Sequence, residues 1–245
     1  MDKFNVLSLN ARGLNSPPKR FSVLDLLQRK NIHFAFIQET HLLETDTHRF
    51  SNKHYNVVAS SCYTKKSKGV LIAIKRNLSF INLGPGGSDD GRISYCKISC
   101  NGMKIALVCV YAPNNFDENF FTSLNCMLFD LSDFQLLIGG DFNAAWLHEI
   151  DRTGGREGNF SYFSARHKTF SRIDYIFISK PLFEEICCSE MIPFPLSDHR
   201  AVFCSLQIKT GHPRASCWRF NTSLLQNEAF KQKLKQELDF FYQYK

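Results

Sequence analysis

Short apolar runs alternate along this chain with polar turns, and several of the runs stop at a single carboxylate or amide. Phe4 to Asn10 has the composition of a strand. Ser16 stands where a helix cap belongs, Pro17 at the first helical position, and Val23, Leu24 and Leu27 follow at helical spacing. Phe34 to Ile37 reads as a short buried strand stopping at Gln38 and Glu39, while Gly69–Ile74 and Ile105–Tyr111 are apolar on both faces, as central strands are. Gly84 to Gly91 reads as a turn-rich loop. From Asp117 to Leu131 a helix would carry Phe121, Leu124, Leu128 and Leu131 on one face. Leu136–Ile138, running into Gly139-Gly140-Asp141, Ile173–Ile178 and Ala201–Ile208 complete the strands. Strands outnumber the interspersed helices, which predicts packed sheets with helices outside them.

The pattern changes near the C-terminus. Residues 1–208 read as one domain and 209–222 as a linker with Gly211 and Pro213 as breakers. Residues 223–245 predict an amphipathic helix whose stripe is Phe230, Leu234, Leu238 and Phe241, suited to packing on this domain or on a neighbour.

Composition narrows the classes. A chain of 245 residues with 44% hydrophobic content can bury a sizeable core. No apolar run reaches the length of a membrane span, and Met1 to Phe4 enters a strand directly, so no secretory leader is expected. Nine cysteines without CxxC spacing exclude neither chemistry outright, but they argue against a disulfide scaffold and a zinc site. Reduced, mostly buried thiols of an intracellular protein are expected. The net charge of +7 suits a polyanionic partner without establishing one. Lys65-Lys66-Ser67-Lys68 and Lys19-Arg20 each fit a solvated loop as well as a phosphate-tracking groove.

The candidate chemistry lies where the apolar runs end, at Asn10, Gln38-Glu39, Tyr111 to Asn114, Gly139 to Asn143 and Ser197-Asp198-His199. Hydrolysis of a phosphodiester needs a hard cation, a base for water and donors for the crowded phosphorus. Mg²⁺ takes oxygen ligands and needs only one or two carboxylates, so Glu39 is the natural ligand, with Asn10 to bracket the metal or hold Glu39. Asp141 follows two glycines that let a substrate come close, and Asn143 can point to the same side and donate to a phosphate oxygen. His199 beside Asp198 suits an imidazolium or general acid, and Asp174 could orient its ring. Tyr111 could bond a phosphate. Each residue also has an ordinary reading: a loop carboxylate, an Asx turn, a surface histidine, a core tyrosine. Their joint occurrence in this order favours the chemistry.

Leu9–Asn15, Gln38–His41, Val110–Pro113, Gly139–Asn143, Phe170–Ile176 and Ser197–Ala201 together resemble the exonuclease–endonuclease–phosphatase superfamily, which includes apurinic/apyrimidinic endonucleases and deoxyribonuclease I. Within it, the chain looks most like the endonuclease domain of LINE-type non-LTR retrotransposons, over about residues 1–208. The resemblance implies an α/β, four-layer DNase I-like sandwich of two mixed β-sheets flanked by helices. It implies Mg²⁺-dependent nicking of DNA (Mn²⁺ serving in its place) that leaves a 3′-OH to prime reverse transcription. By matching motifs, Glu39 and Asn10 would hold the metal with Asp198 assisting, and Asp141 would activate water. Asn143, Tyr111 and His199 would grip the phosphate, Asp174 would orient His199, and Ser161 would lie near the phosphate. Lys65, Lys66, Lys68 and Arg92 are the expected backbone contacts. DNA and a reverse transcriptase domain are the implied partners, and the nucleus the implied place of action.

One departure stands out. Relatives carry a helix and a strand between the Gly-Asp-Phe-Asn segment and the next one, whereas only 20 positions separate Asp141 from Ser161. Uncovering several large apolar side chains would cost on the order of 5–10 kcal/mol, so a weakened or aggregation-prone protein, a truncated element copy, is expected. The competing readings are an inactive retroelement remnant or nucleic-acid-binding fragment, and an inositol-phosphate or lipid phosphatase. The latter relatives flank the later aspartate with a Trp- and Pro-bearing segment, where this chain has Thr169 to Asp174.

Overall fold

A computed structural model of the chain describes residues 2–145, 152–154, 160–208 and 232. The expected linker and C-terminal helix therefore lie outside the described residues, Gln232 excepted, and so does most of the shortened stretch after Asn143.

Strand β1 (Asp2–Asn10) runs through helix α1 (Pro17–Arg29) to its parallel neighbour β2 (Phe34–Gln38). The helix starts where the sequence predicts, with Ser16 accepting from the Lys19 amide and Pro17 in the first turn, where its missing N–H costs nothing. Around this pair a six-stranded sheet forms in the order β13 (Ile186–Ile192), β14 (Ala201–Ile208), β1, β2, β4 (Val70–Lys75), β3 (Tyr55–Ser61). The second sheet has the order β12 (Asp174–Ile178), β8 (Gln135–Asp141), β7 (Met103–Tyr111), β6 (Ile93–Cys100), β5 (Ile81–Gly87). Its one parallel pair, β7 with β8, is connected through helix α2 (Glu118–Asp130), whose cap Asp117 accepts from the amides of Asn119 and Phe120. Three short strands, β9 (Arg152–Gly154), β10 (Tyr162–Ser164) and β11 (Thr169–Ser171), make a small antiparallel sheet.

The period-2 alternation of side chains sorts the strands into layers. Phe4 and Val6 of β1, Phe34 and Phe36 of β2, Val70, Ile72 and Ile74 of β4 and Ile105, Leu107 and Cys109 of β7 meet in one core between the sheets. The opposite parity (Leu7, Leu9, Ala35, Ile37, Leu71 and Ala73) packs against Val23, Leu24 and Leu27 of α1. Ala106, Val108, Val110 and Ile138 pack against Phe120 and Leu124 of α2. Helix, sheet, sheet, helix is the four-layer order expected.

Three expectations need correction. Gly84 to Gly91 is not wholly loop, because its first half is the edge strand β5, with Pro85 opposite Cys96 and a register shift between Asn82 and Gly84. An edge strand tolerates Gly and Pro because it needs hydrogen bonds on one side only. The buried face of α2 is led by Phe120 and Leu124, with Phe121 and Leu128 only half-buried, so the stripe is turned toward the preceding residue. The thiols are less buried than expected: of the eight cysteines among the described residues, none in a disulfide there, Cys126, Cys187 and Cys188 are exposed. Strands β3 and β13 escape the sequence pattern because they are sheet edges with mostly polar or half-exposed faces.

Candidate active site

The inward parity that fills the core also carries the polar residues at its mouth. Along β1 the inner positions are Phe4, Val6, Ser8 and Asn10; along β7 they end at Tyr111; along β8 they run Leu137, Gly139 and Asp141. Strand register then brings the ends together, with Asn10 opposite Gln38, Tyr111 opposite Asp141 and Asp174 opposite Asp141. His199 arrives from the turn before β14, where Tyr162 bridges to it and lays its ring 4.8 Å from the imidazole. Asp141, Tyr162 and His199 border an open cleft of about 430 Å³ that Arg12, Glu39, Asn143 and Asp198 also line, with Asn10 and Asp174 buried behind it.

Asn10 is the hinge of the arrangement. Its Nδ2 donates to Glu39 Oε1 at 3.1 Å and to Asp141 Oδ2 at 2.9 Å, so one fully buried amide ties two carboxylates from different sheets. The Tyr111 hydroxyl donates to the same Glu39 oxygen at 2.8 Å, and His41 Nε2 stands 3.5 Å from the other. Burial pushes the Glu39 carboxyl up, but the hydrogen bonds from His41, Asn10 and Tyr111 outweigh it and hold the group at about 2. Glu39 is therefore an anion at any ordinary pH. Its backbone sits at φ +47°, with Arg12, His41 and Asn143 also in the left-handed region at +47°, +55° and +49°. Side-chain-bearing residues avoid that region at a cost of about 1 kcal/mol or more each, and here four of them border one site.

Asp141 and Asp174 face a single imidazole. His199 Nδ1 lies 2.8 Å from Asp174 Oδ2 and its Nε2 3.9 Å from Asp141 Oδ2. Burial drives the Asp141 carboxyl up to about 7, with the Asp174 charge adding to it and His199, Asn10 and the Asn143 amide opposing. Burial acts against the charged imidazole, yet the three neighbouring aspartates prevail, chiefly Asp174, and carry His199 up to about 9. The neighbouring aspartates thus favour the charged imidazolium of His199, while burial raises the proton affinity of the Asp141 carboxylate beside it.

The remaining expected residues fall in four places. Asn143 lines the cleft and donates one amide hydrogen to Ala112 O at 2.8 Å; among the described residues its second has no acceptor and is left for a ligand. Asp198 lines the cleft but pairs with Arg12 at 3.1 Å. Ser161 does not line it; it is fully buried behind the site, its Oγ accepting from the amides of Ile173 and Asp174 at 3.0 Å each. Ser161→Ala would strand those two amides and loosen Asp174, an expected loss of about 2 kcal/mol of stability that Ser161→Thr largely avoids, as thermal melting will show. Lys65 and Lys66 are exposed, whereas Lys68 and Arg92 line an adjoining cleft. Lys19 and Arg20 serve the fold: Lys19 Nζ donates to Arg12 O, and Arg20 Nη1 to Leu14 O and Asn15 O.

His41, Arg12, Tyr162 and Ser197 were given no role by the sequence. Ser197 Oγ donates to Asn10 O at 2.8 Å and accepts from the His199 amide at 3.2 Å, locking the histidine turn to β1. Arg12, His41 and Ser197 stand inside the motifs quoted for the resemblance, which was the available signal. Tyr162 carried none.

The donor set suits a divalent cation. Ligand atoms of Asp141, Asp174 and His199 lie within 4.8 Å of one another. Asp174 and His199 already satisfy each other, so the better place for a cation is the Glu39 side, where carboxylate oxygens border the cleft. Three carboxylates, Glu39, Asp141 and Asp174, stand against one imidazolium, and Asp174 Oδ1 is buried without a hydrogen-bond partner. Such an excess of buried negative charge calls for a hard cation.

Comparison with known proteins agrees with this geometry. The chain is 29% identical to the transposon TX1 uncharacterized 149 kDa protein of Xenopus laevis over 94% of its own length, and it spans only 20% of that protein. Its structure is similar to the endonuclease domain of TRAS1, a telomere-specific non-LTR retrotransposon, with a TM-score of 0.62 at 18% identity, covering 84% of this chain and 99% of that one. It is similar to the apurinic/apyrimidinic endonuclease LMAP from Leishmania major, with a TM-score of 0.66 at 15% identity over 84% and 88% of the two chains. The Xenopus laevis APE2 catalytic domain gives 0.67 at 15% identity over 82% and 91%. At these identities the solved structures speak for the fold. The sequence itself matches a family over residues 4–199, which spans β1 to His199 and takes in every polar strand end that borders the cleft. From Phe4 to His199, then, the chain belongs to the endonuclease/exonuclease/phosphatase family.

Proposed function

We propose that this chain is a Mg²⁺-dependent DNA-nicking endonuclease of a LINE-type retrotransposon, forming part of a longer protein that includes a reverse transcriptase and acts in the nucleus. The observation that carries the reading is the pair of carboxylates, Glu39 and Asp141, tied by Asn10 beside the Asp174–His199 pair at the floor of an open cleft. Such a cleft admits a strand, whereas a small-molecule site is more enclosed. Similarity to the TX1 transposon protein and the TRAS1 endonuclease domain points to DNA as the substrate.

Glu39 would hold the cation, with Asn10 and Tyr111 fixing its carboxylate. When bound, a divalent cation would supply positive charge for the phosphate and the leaving oxygen. Asp141 takes a proton from the attacking water. His199, charged and held by Asp174, stabilises the equatorial oxygens, and the free hydrogen of the Asn143 amide adds a donor. The bond from phosphorus to the 3′ oxygen breaks as the water's oxygen bonds to phosphorus, and the leaving 3′ oxygen takes a proton from solvent in the open cleft, giving a 3′-OH and a 5′ phosphate.

Supercoiled plasmid should become open-circular with Mg²⁺, stay intact in EDTA, and offer ends that a polymerase extends without further treatment. Activity in EDTA, ends that cannot be extended, or phosphate release from inositol phosphates in place of nicking would reject the reading. The pH profile follows from the same groups. Asp141 must be unprotonated, so the rate rises with pH through about 7, or lower once a bound cation favours the anion. His199 must be protonated, so the rate falls as pH passes about 9. A bell with these limbs is expected in plasmid nicking, the limbs belonging to the interacting pair as a whole. A profile flat across that range contradicts the assignment.

A further inference from the structure

A second cleft of about 750 Å³ adjoins the first and shares Asn114 with it. Its lining mixes two chemistries. His41, Lys68 and Arg92 contribute to it. Arg92 is held in place by a bond from Nη1 to Tyr111 O at 3.1 Å and by the Tyr111 ring 5.4 Å away, and Lys68 Nζ lies 4.5 Å from the centre of the Tyr63 ring. Phe116, 82% exposed, lines the same cleft together with the capping Asp117 and Glu118. The Phe116 ring is held flat by stacking on Phe121 of α2, at 5.5 Å and 16°.

An exposed aromatic face propped by a second ring, sharing a cleft with two cations and next to a site for phosphodiesters, has a specific chemical complement. Resting on the nuclease reading above, we propose that this cleft receives an unpaired nucleotide flanking the scissile phosphate, its base stacked on Phe116 and its phosphate on Lys68 and Arg92. The charge layout fixes that orientation, since a phosphate is drawn to the two cations and repelled by Glu118. A paired base does not serve, because both its faces are covered by its neighbours in the duplex. The ring has no hydrogen-bonding group, so the stacking itself is indifferent to which base is present.

The test uses the full 245-residue chain in EDTA, to prevent cutting, with two DNA duplexes. One carries a single bulged 2-aminopurine and the other is fully paired. Wild type should quench the 2-aminopurine on binding. Phe116→Ala should abolish the quench and weaken the bulged duplex by about five- to a hundredfold, with less than about a twofold effect on the paired one. Phe116→Trp should restore both readouts. Lys68→Ala should weaken both duplexes alike and lower the salt slope by about one. If wild type binds and nicks paired DNA while Phe116→Ala binds the bulged duplex as wild type does, the nucleotide site is rejected and the nuclease reading stands. The same result with an altered sedimentation coefficient assigns the ring to a protein contact instead. If wild type binds neither duplex in EDTA yet nicks plasmid with Mg²⁺, the nucleotide site is rejected and the nuclease reading stands; if it also fails to nick, both readings fall.

Discussion

Asp141→Ala and His199→Ala should each lower plasmid nicking by about a hundred- to ten-thousandfold, the range over which positioned proton-transfer and charge-stabilising groups act. Asp141 loses more than a base when truncated. Its Oδ2 accepts from Asn10 and its Oδ1 from the Asn143 backbone N–H, so Asn10, which also holds Glu39, and the backbone that positions Asn143 each lose an acceptor. His199→Ala removes the single imidazolium facing Asp141 and Asp174, leaving two carboxylates in one buried pocket. One of them must then hold a proton at neutral pH, and Asp141, already raised to about 7, is the natural candidate. The two variants should thus be comparably inactive, and the double variant little worse than either, as groups that act as a unit are not additive. Folding is checked by melting temperature; two folded variants that nick as wild type does would remove both residues from the chemistry.

Gly140→Ala should destabilise the domain by about 3 kcal/mol, a drop in melting temperature of roughly 6–12 °C. Gly140 lies in the parallel pair of β8 with β7, opposite Val110, and a Cβ there would overlap the Val110 carbonyl oxygen. The obstacle is backbone in a central strand, which cannot swing aside as a side chain can. Relief by separating the strands would move Asp141, the next residue, away from Asn10, so the specific activity of the folded fraction should fall too. Gly102→Ala is the control: at φ +77° it meets nothing within 4 Å, so only backbone strain of about 1 kcal/mol is expected. Equal losses in the two variants would show that crowding at the strand pair is not what Gly140 relieves.

Much of this site was legible because its residues end apolar runs. A strand that alternates Phe4, Val6, Ser8 and Asn10 commits Asn10 to the inner face, and the same parity commits Tyr111 and Asp141. What sequence could not show is which of these ends touch. The Asn10 bridge between Glu39 and Asp141 joins residues 29 and 131 positions apart. His41 reaches Glu39 only because both adopt left-handed backbone, a choice made by the surrounding turns rather than by these residue types. Ser161 has no local signal for its place either, since the amides it accepts from lie 12 and 13 residues downstream. Strand β5 was hidden for a similar reason: Gly-Pro-Gly-Gly has no strand preference of its own, and β6 imposes one on it. The shortened stretch between Asn143 and Ser161 falls largely outside the described residues; Phe142, just before it in sequence, contacts Tyr175 and Phe177, which contact each other.

The central claim is that ends of strands from two sheets form one cation-binding site, and thermal melting of the full chain with and without Mg²⁺ tests it most directly. At an ion concentration a hundred times the dissociation constant, wild type should gain about 2.7 kcal/mol, a rise of roughly 5–10 °C in a single cooperative transition. Glu39→Gln, which keeps the shape and loses the charge, should melt cooperatively but show little or no rise. An equal rise in both proteins, or none in wild type, would contradict the account.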